Sequence, residues 1–153
     1  MTEPILLIDT ATTACRVGLM QGDVLLAQKQ TDGQYEHAEQ LNVLIATLMQ
    51  EQKLGFRDLK AVAITGGPGS YTGLRIGASV AKGICYGASL ELIAVNTLEV
   101  MVQGYLLANP GLSDSALLVP MLDARRMEVF TMVQNTRQEV LLAPQALVLQ
   151  ENS

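Results

Sequence analysis

Two short apolar runs, Ile5–Ile8 and Ala61–Thr65, constrain this chain more than any other feature. Each is continuous rather than alternating and has the length of a single strand. The first stops at Asp9-Thr10, the second at a glycine-rich loop. A strand that is apolar on both faces needs cover on both faces, which calls for a sheet layered with helices. The flanking segments agree. Arg16–Met20 and Val24–Gln28 are further β-type runs joined by the tight turn Gln21-Gly22-Asp23, so the chain opens as an antiparallel meander. His37–Gln52 then carries Leu41, Leu44, Ile45, Leu48 and Met49 at helical spacing. Leu74–Gly87 and Leu98–Leu107 read as two more helices, on either side of a strand at Glu91–Val95.

The order βββαβαβα predicts an α/β lobe with a mixed five-stranded sheet covered by helices. Asn109-Pro110-Gly111 breaks the pattern, and Ser113–Ser115 continues the linker. Strand-like runs resume at Ala116–Leu122 and Met127–Val133, with Asp123-Ala124-Arg125-Arg126 between them, and Pro144 interrupts a last apolar stretch, Val140–Leu149. This predicts a complete lobe over residues 1–112 and the start of a second over 113–153. The chain reaches Ser153 before helices could cover that second lobe, so it is expected to be incomplete.

Composition narrows the function. Of 153 residues, 49% are hydrophobic and 16% charged, enough to bury a sizeable core and leave apolar surface for a partner. The net charge is −5, Arg125-Arg126 is the only adjacent basic pair, and there is no Trp. A chain that grips nucleic acid alone carries a basic stripe, and single-strand binders add stacking aromatics. Any RNA contact is therefore expected through another subunit. Cys15 and Cys85 lie in apolar segments without metal-ligand spacing and read as buried thiols. With no signal-like leader and no membrane-length apolar run, the expected location is the cytoplasm and no membrane is implied.

The loop GGPGSYTGLRIG, residues 66–77, is the candidate site. Glycine loops that open helices often hold phosphate on bare N–H groups. A Walker A loop needs a lysine straight after its last glycine, whereas the first lysine here is Lys82. A dinucleotide fingerprint needs G-x-G-x-x-G and an acid at the end of the next strand. Here the third glycine, Gly73, comes one residue late, and the strand ends in Val95-Asn96. Without phosphate, the glycines supply a tight turn and Ser70 or Thr72 caps the helix. Beyond the loop, Gly73, Gly77 and Ala81 recur every four residues, and so do Ser79, Gly83 and Gly87. Such ridges let another helix approach closely, within the chain or from a partner subunit.

ILLIDTATTACRVGL at 5–19 resembles the first hairpin of the actin-like fold shared by Hsp70-like proteins and sugar kinases, a ribonuclease H-like architecture. Together with AITGGPGSYTGLRIG at 63–77 and LDARRMEVF at 122–130, it resembles the bacterial TsaB (YeaZ) family over essentially the whole chain. The resemblance implies a non-catalytic subunit that supports TsaD, joined by the ATPase TsaE. Their product is the threonylcarbamoyl group on the adenosine beside the anticodon of tRNAs that read codons beginning with A. It implies a homodimer in isolation, tRNA contact only through TsaD, and no cofactor of its own.

The resemblance also assigns residues. Where TsaD-type proteins carry an H-x-x-x-H metal motif, this chain has Thr97 and Met101, which implies no metal site. Where they open the second lobe with Ser-Gly-Gly-His, it has Asp123-Ala124-Arg125-Arg126. The expected partner interface is His37, Leu41, Leu44 and Leu48 on the first helix, with Tyr71, Arg75, Gly77 and Ala81 on the second. The alternative is an enzyme, a residual ATPase or kinase of this fold holding ATP with Asp9, Thr10, Thr12 and Thr13. A glycoprotease, a label also attached to the family, finds no H-E-x-x-H motif here and only one histidine, His37.

Overall fold

A computed structural model describes residues 2–31 and 37–150, with the side chains of residues 37 and 38 outside the description. The chain divides into two compact units, Met1–Val95 and Asn96–Ser153. Among the described residues, no helix is long and apolar enough to cross a membrane.

The first unit is built on strands β1 (Ile5–Asp9), β2 (Arg16–Gln21), β3 (Val24–Gln30), β4 (Ala61–Thr65) and β5 (Glu91–Val95). They form one mixed five-stranded sheet in the order β3-β2-β1-β4-β5. β1, β2 and β3 pair antiparallel, while β1, β4 and β5 run parallel. The two continuous apolar runs are thus the adjacent strands at the centre, where both backbone edges find partners. Helix α1 (His37–Glu51) enters β4 through a single 3₁₀ turn at Phe56–Asp58. Helix α2 (Tyr71–Ala88) makes the parallel crossover to β5.

Register shows which sheet face carries the core. Leu6 pairs with Leu19 and Val62, and Ile8 with Val17 and Ile64, so all six side chains point to one face. They join Leu41, Ile45, Leu48 and Met49 of α1 and Ala81 and Cys85 of α2 in one buried cluster. Each fully buried leucine contributes about 1.5–3 kcal/mol of transfer free energy. α2 starts three residues before the apolar periodicity does, because Ser70 Oγ accepts from Gly73 N at 3.2 Å and closes the first turn. It ends at Ser89, a left-handed cap with φ of 56°.

The second unit begins with α3 (Thr97–Ala108), where Asn96 Oδ1 accepts from Leu98 N at 2.8 Å. The Asn109-Pro110-Gly111 break lies inside this unit. β6 (Leu117–Leu118), β7 (Met121–Arg125), β8 (Glu128–Asn135) and β9 (Val140–Val148) follow. β8 is the hub, pairing with β6 and β7 along one edge and with β9 along the other. Two readings of this region change. Val119-Pro120 splits the expected strand 116–122, and its second half runs on to Arg125. The stretch holding Pro144 is a continuous strand, because among the described residues β9 pairs only with β8 and its register shifts beside the proline.

Candidate functional site

The glycine loop is fastened to the first hairpin turn. Asp9 Oδ1 accepts from Ala11 N at 3.1 Å and from Thr65 Oγ1 at 2.9 Å, while Oδ2 lies 3.5 Å from Arg16 Nη1. Both carboxylate oxygens are therefore engaged by this chain. The turn they shape offers its carbonyls to the loop, and Ser70 N donates to Ala11 O at 2.7 Å. A Cβ on Gly69 would collide with Ala11 O, one on Gly73 with Thr10 O, and one on Gly77 with Thr10 Oγ1. Glycine is required at these three positions by close approach to another segment. Thr10 is buried beneath that contact, Thr12 is half-buried and Thr13 is exposed.

α2 thus has two small-residue ridges with opposite fates. Gly73, Gly77, Ala81 and Cys85 are buried. Ser79, Gly83 and Gly87 are exposed, and a Cβ on Gly83 or Gly87 would meet nothing within 4 Å. Lys82 is exposed beside them, and Tyr86 is 92% exposed. At the start of the same helix the Arg75 guanidinium sits 4.1 Å from the centroid of the exposed Tyr71 ring, a cation–π pair at the mouth of the loop. Gly83, Ile84, Gly87 and Ala88 form one wall of a shallow apolar groove, and Gly55, Phe56 and Arg57 form the other.

This placement revises part of the expected interface. Leu41, Leu48, Gly77 and Ala81 lie inside the unit and present nothing to a partner, because the sheet and the Thr10 turn already cover them. Leu44 packs half-buried against the same core. Tyr71 and Arg75 reach the surface, and the His37 side chain lies outside the described residues. Gly83, Gly87, Lys82 and Tyr86 lay outside the expected interface and are exposed. The sequence signal for the two glycines was the second four-residue ridge, but periodicity alone does not say which ridge faces inward.

Burial raises the thiol pKa of Cys15, and the nearby Asp9 carboxylate raises it further. Burial also raises that of Cys85, whose backbone hydrogen bond to Val62 pulls the other way. Neither environment activates a thiolate. In the second unit, Arg125, Arg126 and Met127 have φ of 70°, 56° and 59°. Left-handed backbone costs a non-glycine residue roughly 1–2 kcal/mol, so this turn is held against its own preference. Asp123 Oδ1 helps to hold it by accepting from Arg125 N at 2.7 Å.

The family model for TsaD, tRNA N6-adenosine threonylcarbamoyltransferase, matches residues 27–147. The Escherichia coli tRNA threonylcarbamoyladenosine biosynthesis protein TsaB is 35% identical over 126 residues, covering 82% of this chain and 52% of that protein. The solved structure of YeaZ from Pseudomonas aeruginosa superposes with a TM-score of 0.81 at 27% identity, over 97% of this chain and 68% of that one. The chain belongs to the TsaB (YeaZ) group of the TsaD family. It spans about half the length of the curated TsaB relatives it matches. An exopolyphosphatase from Cytophaga hutchinsonii shares the fold with a TM-score of 0.53 at 16% identity, covering 97% of this chain and 51% of that one.

Seen as a TsaB-group chain, α3 carries the positions the resemblance sets against the transferase histidines. Thr97 opens the helix and is buried, its Oγ1 without a hydrogen-bond partner among the described residues. Met101, one turn on, lines an apolar groove with Tyr105 and Leu117. Among the described residues, no three His, Cys, Asp or Glu side chains gather where they could share a metal.

Proposed function

We propose that this chain is a non-catalytic subunit in tRNA threonylcarbamoyladenosine biosynthesis. In this reading it docks on TsaD, TsaE joins the pair, and tRNA is reached through TsaD. The observation that carries it is the open ridge Ser79-Gly83-Gly87. Glycine inside a helix costs about 1 kcal/mol relative to alanine. Gly73 and Gly77 have a reason within the chain for that cost. Gly83 and Gly87 have none, since a side chain there would meet empty space. A bare ridge beside an apolar groove suits a second helix packed at short distance, i±4 ridge against groove. Tyr71 and Arg75 lie at the other end of the same face. In isolation the ridge pairs with its own copy about a two-fold axis, where one patch serves both sides.

The test is co-purification with TsaD, and sedimentation of the chain alone, for wild type and for Gly83→Leu and Gly87→Leu. The expected result is a wild-type complex that both substitutions abolish while the fold, followed by circular dichroism, is retained. A TsaD complex that tolerates leucine at both positions overturns this docking face.

A further inference from the structure

The turn between β7 and β8 carries side chains that its own geometry does not select. Arg125 pairs with Glu128, so Arg126 and Met127 form a two-residue hairpin loop with φ of 56° and 59°. Two positive φ values in such a loop favour Asn-Gly or Asp-Gly. This chain instead places two guanidinium groups and a thioether on three successive left-handed residues. All three side chains are exposed, Met127 at 66%. Arg16, Lys29 and Arg137 are each paired with a carboxylate. Among the described residues, neither the Arg125 nor the Arg126 guanidinium is placed in an ion pair or hydrogen bond. Among the described residues of the second unit, none accounts for these side chains on this backbone.

The chemistry of the tip selects among partners. Asp123 and Glu128 flank the two arginines, so the four side chains sum to a formal charge of zero. A tip with no net positive charge offers little to a polyanion, whose affinity comes from accumulated phosphate neutralisation. Two guanidinium forks still bind individual carboxylates through paired N–H donors, which depends on geometry rather than on net field. The surroundings add apolar surface. Leu149 N donates to Met127 O at 2.7 Å, and Val148, paired with Glu128, is 58% exposed. Arginine and methionine beside apolar area is the composition of a protein–protein contact.

We propose that the Arg125-Arg126-Met127 turn is a docking tip for a carboxylate-bearing surface of a second protein, and that this protein is TsaD. The identity of the partner rests on the function proposed above. The tip lies on a different unit from the α2 ridge and is tested separately.

The decisive variant is the double substitution Arg126→Asn with Met127→Gly, which supplies the residues this turn prefers. It is expected to raise the thermal midpoint and to weaken TsaD binding in titration calorimetry at least tenfold. A merely structural turn would move stability without moving affinity. Arg126→Glu is a second variant, expected to weaken binding by more than the double substitution. A double variant that melts higher and binds TsaD as tightly as wild type overturns the docking tip alone. Wild type that does not bind TsaD overturns both this inference and the proposed function. Loss of tRNA retention on a filter with TsaD affinity unchanged overturns the choice of a protein partner.

Discussion

Gly77 sits so close to Thr10 that a single methyl group on it would collide with the threonine hydroxyl oxygen. This contact ties the middle of α2 to the turn after β1, two segments far apart in sequence. It explains why the glycines of one helix face are not interchangeable with those of the other.

Alanine substitutions along α2 should therefore change sign from ridge to ridge. At Gly73 the new methyl meets the Thr10 carbonyl, which cannot rotate away. Gly73→Ala should destabilise by about 1–3 kcal/mol, the usual cost of overpacking. Gly83→Ala and Gly87→Ala meet nothing and should each stabilise by up to about 1 kcal/mol. Urea unfolding of the four single variants, with Gly77→Ala grouped with Gly73→Ala, checks the pattern.

Asp9 should behave as a structural residue. Asp9→Ala leaves Ala11 N–H and the Thr65 hydroxyl without their shared acceptor in a partly buried turn. The expected loss is about 1–3 kcal/mol. Arg16→Ala removes the half-exposed ion pair and an exposed hydrogen bond from Nε to Gln30 Oε1 at 3.4 Å, and should cost less than about 1 kcal/mol. Denaturant midpoints of the two variants, compared at one pH, give the ranking. Equal losses would mean that the ion pair, not the turn, is what Asp9 supports.

Leu48→Ala should be among the most damaging changes on α1. The side chain is fully buried in the cluster that joins both helices to the sheet. Its removal should cost about 2–5 kcal/mol with no separate effect on partner binding beyond the lost fold. Val43→Ala on the exposed side of the same helix should change stability by less than about 0.5 kcal/mol. Thermal unfolding followed by circular dichroism distinguishes the two.

The buried thiols give a pH dependence whose sign can be worked out. The folded-state pKa of Cys15 is raised above its ordinary value of 9.0, first by burial and then by Asp9. The native state therefore holds its proton at a pH where the unfolded chain has released it. That contribution is fully present below pH 9.0 and is lost as pH rises through the folded-state value. Cys15→Ala should flatten the alkaline fall in stability relative to wild type. Native-state labelling by a thiol reagent should be slow until denaturant exposes the group.

The architecture of the first unit was legible because its signals are local. Continuous apolar runs mark Ile5–Ile8 and Ala61–Thr65 as central strands. The turn Gln21-Gly22-Asp23 sets the hairpin, and the leucine spacing in α1 marks one face of a helix, which the structure turns into the core where a partner interface was expected. Spacing alone also set the glycine loop apart from the two nucleotide motifs. Pro144 misled because a proline reads as a break unless one knows that its strand lies at a sheet edge. That fact depends on which strands pair, and pairing is non-local.

The same division holds at the candidate site. The order of residues is enough to place small residues on two ridges of α2, Asp9 at the end of an apolar run, and Arg125 and Arg126 between two strand-like segments. Packing of the folded chain is what sets Gly73 and Gly77 against the Thr10 turn and leaves Gly83 and Gly87 facing open space. It also turned Asp9 toward Ala11, Thr65 and Arg16, and bent Arg125, Arg126 and Met127 into left-handed backbone. A helical period records which residues share a face. Which face is buried depends on what the rest of the chain brings against it, and for α2 that is a turn more than sixty residues away in sequence.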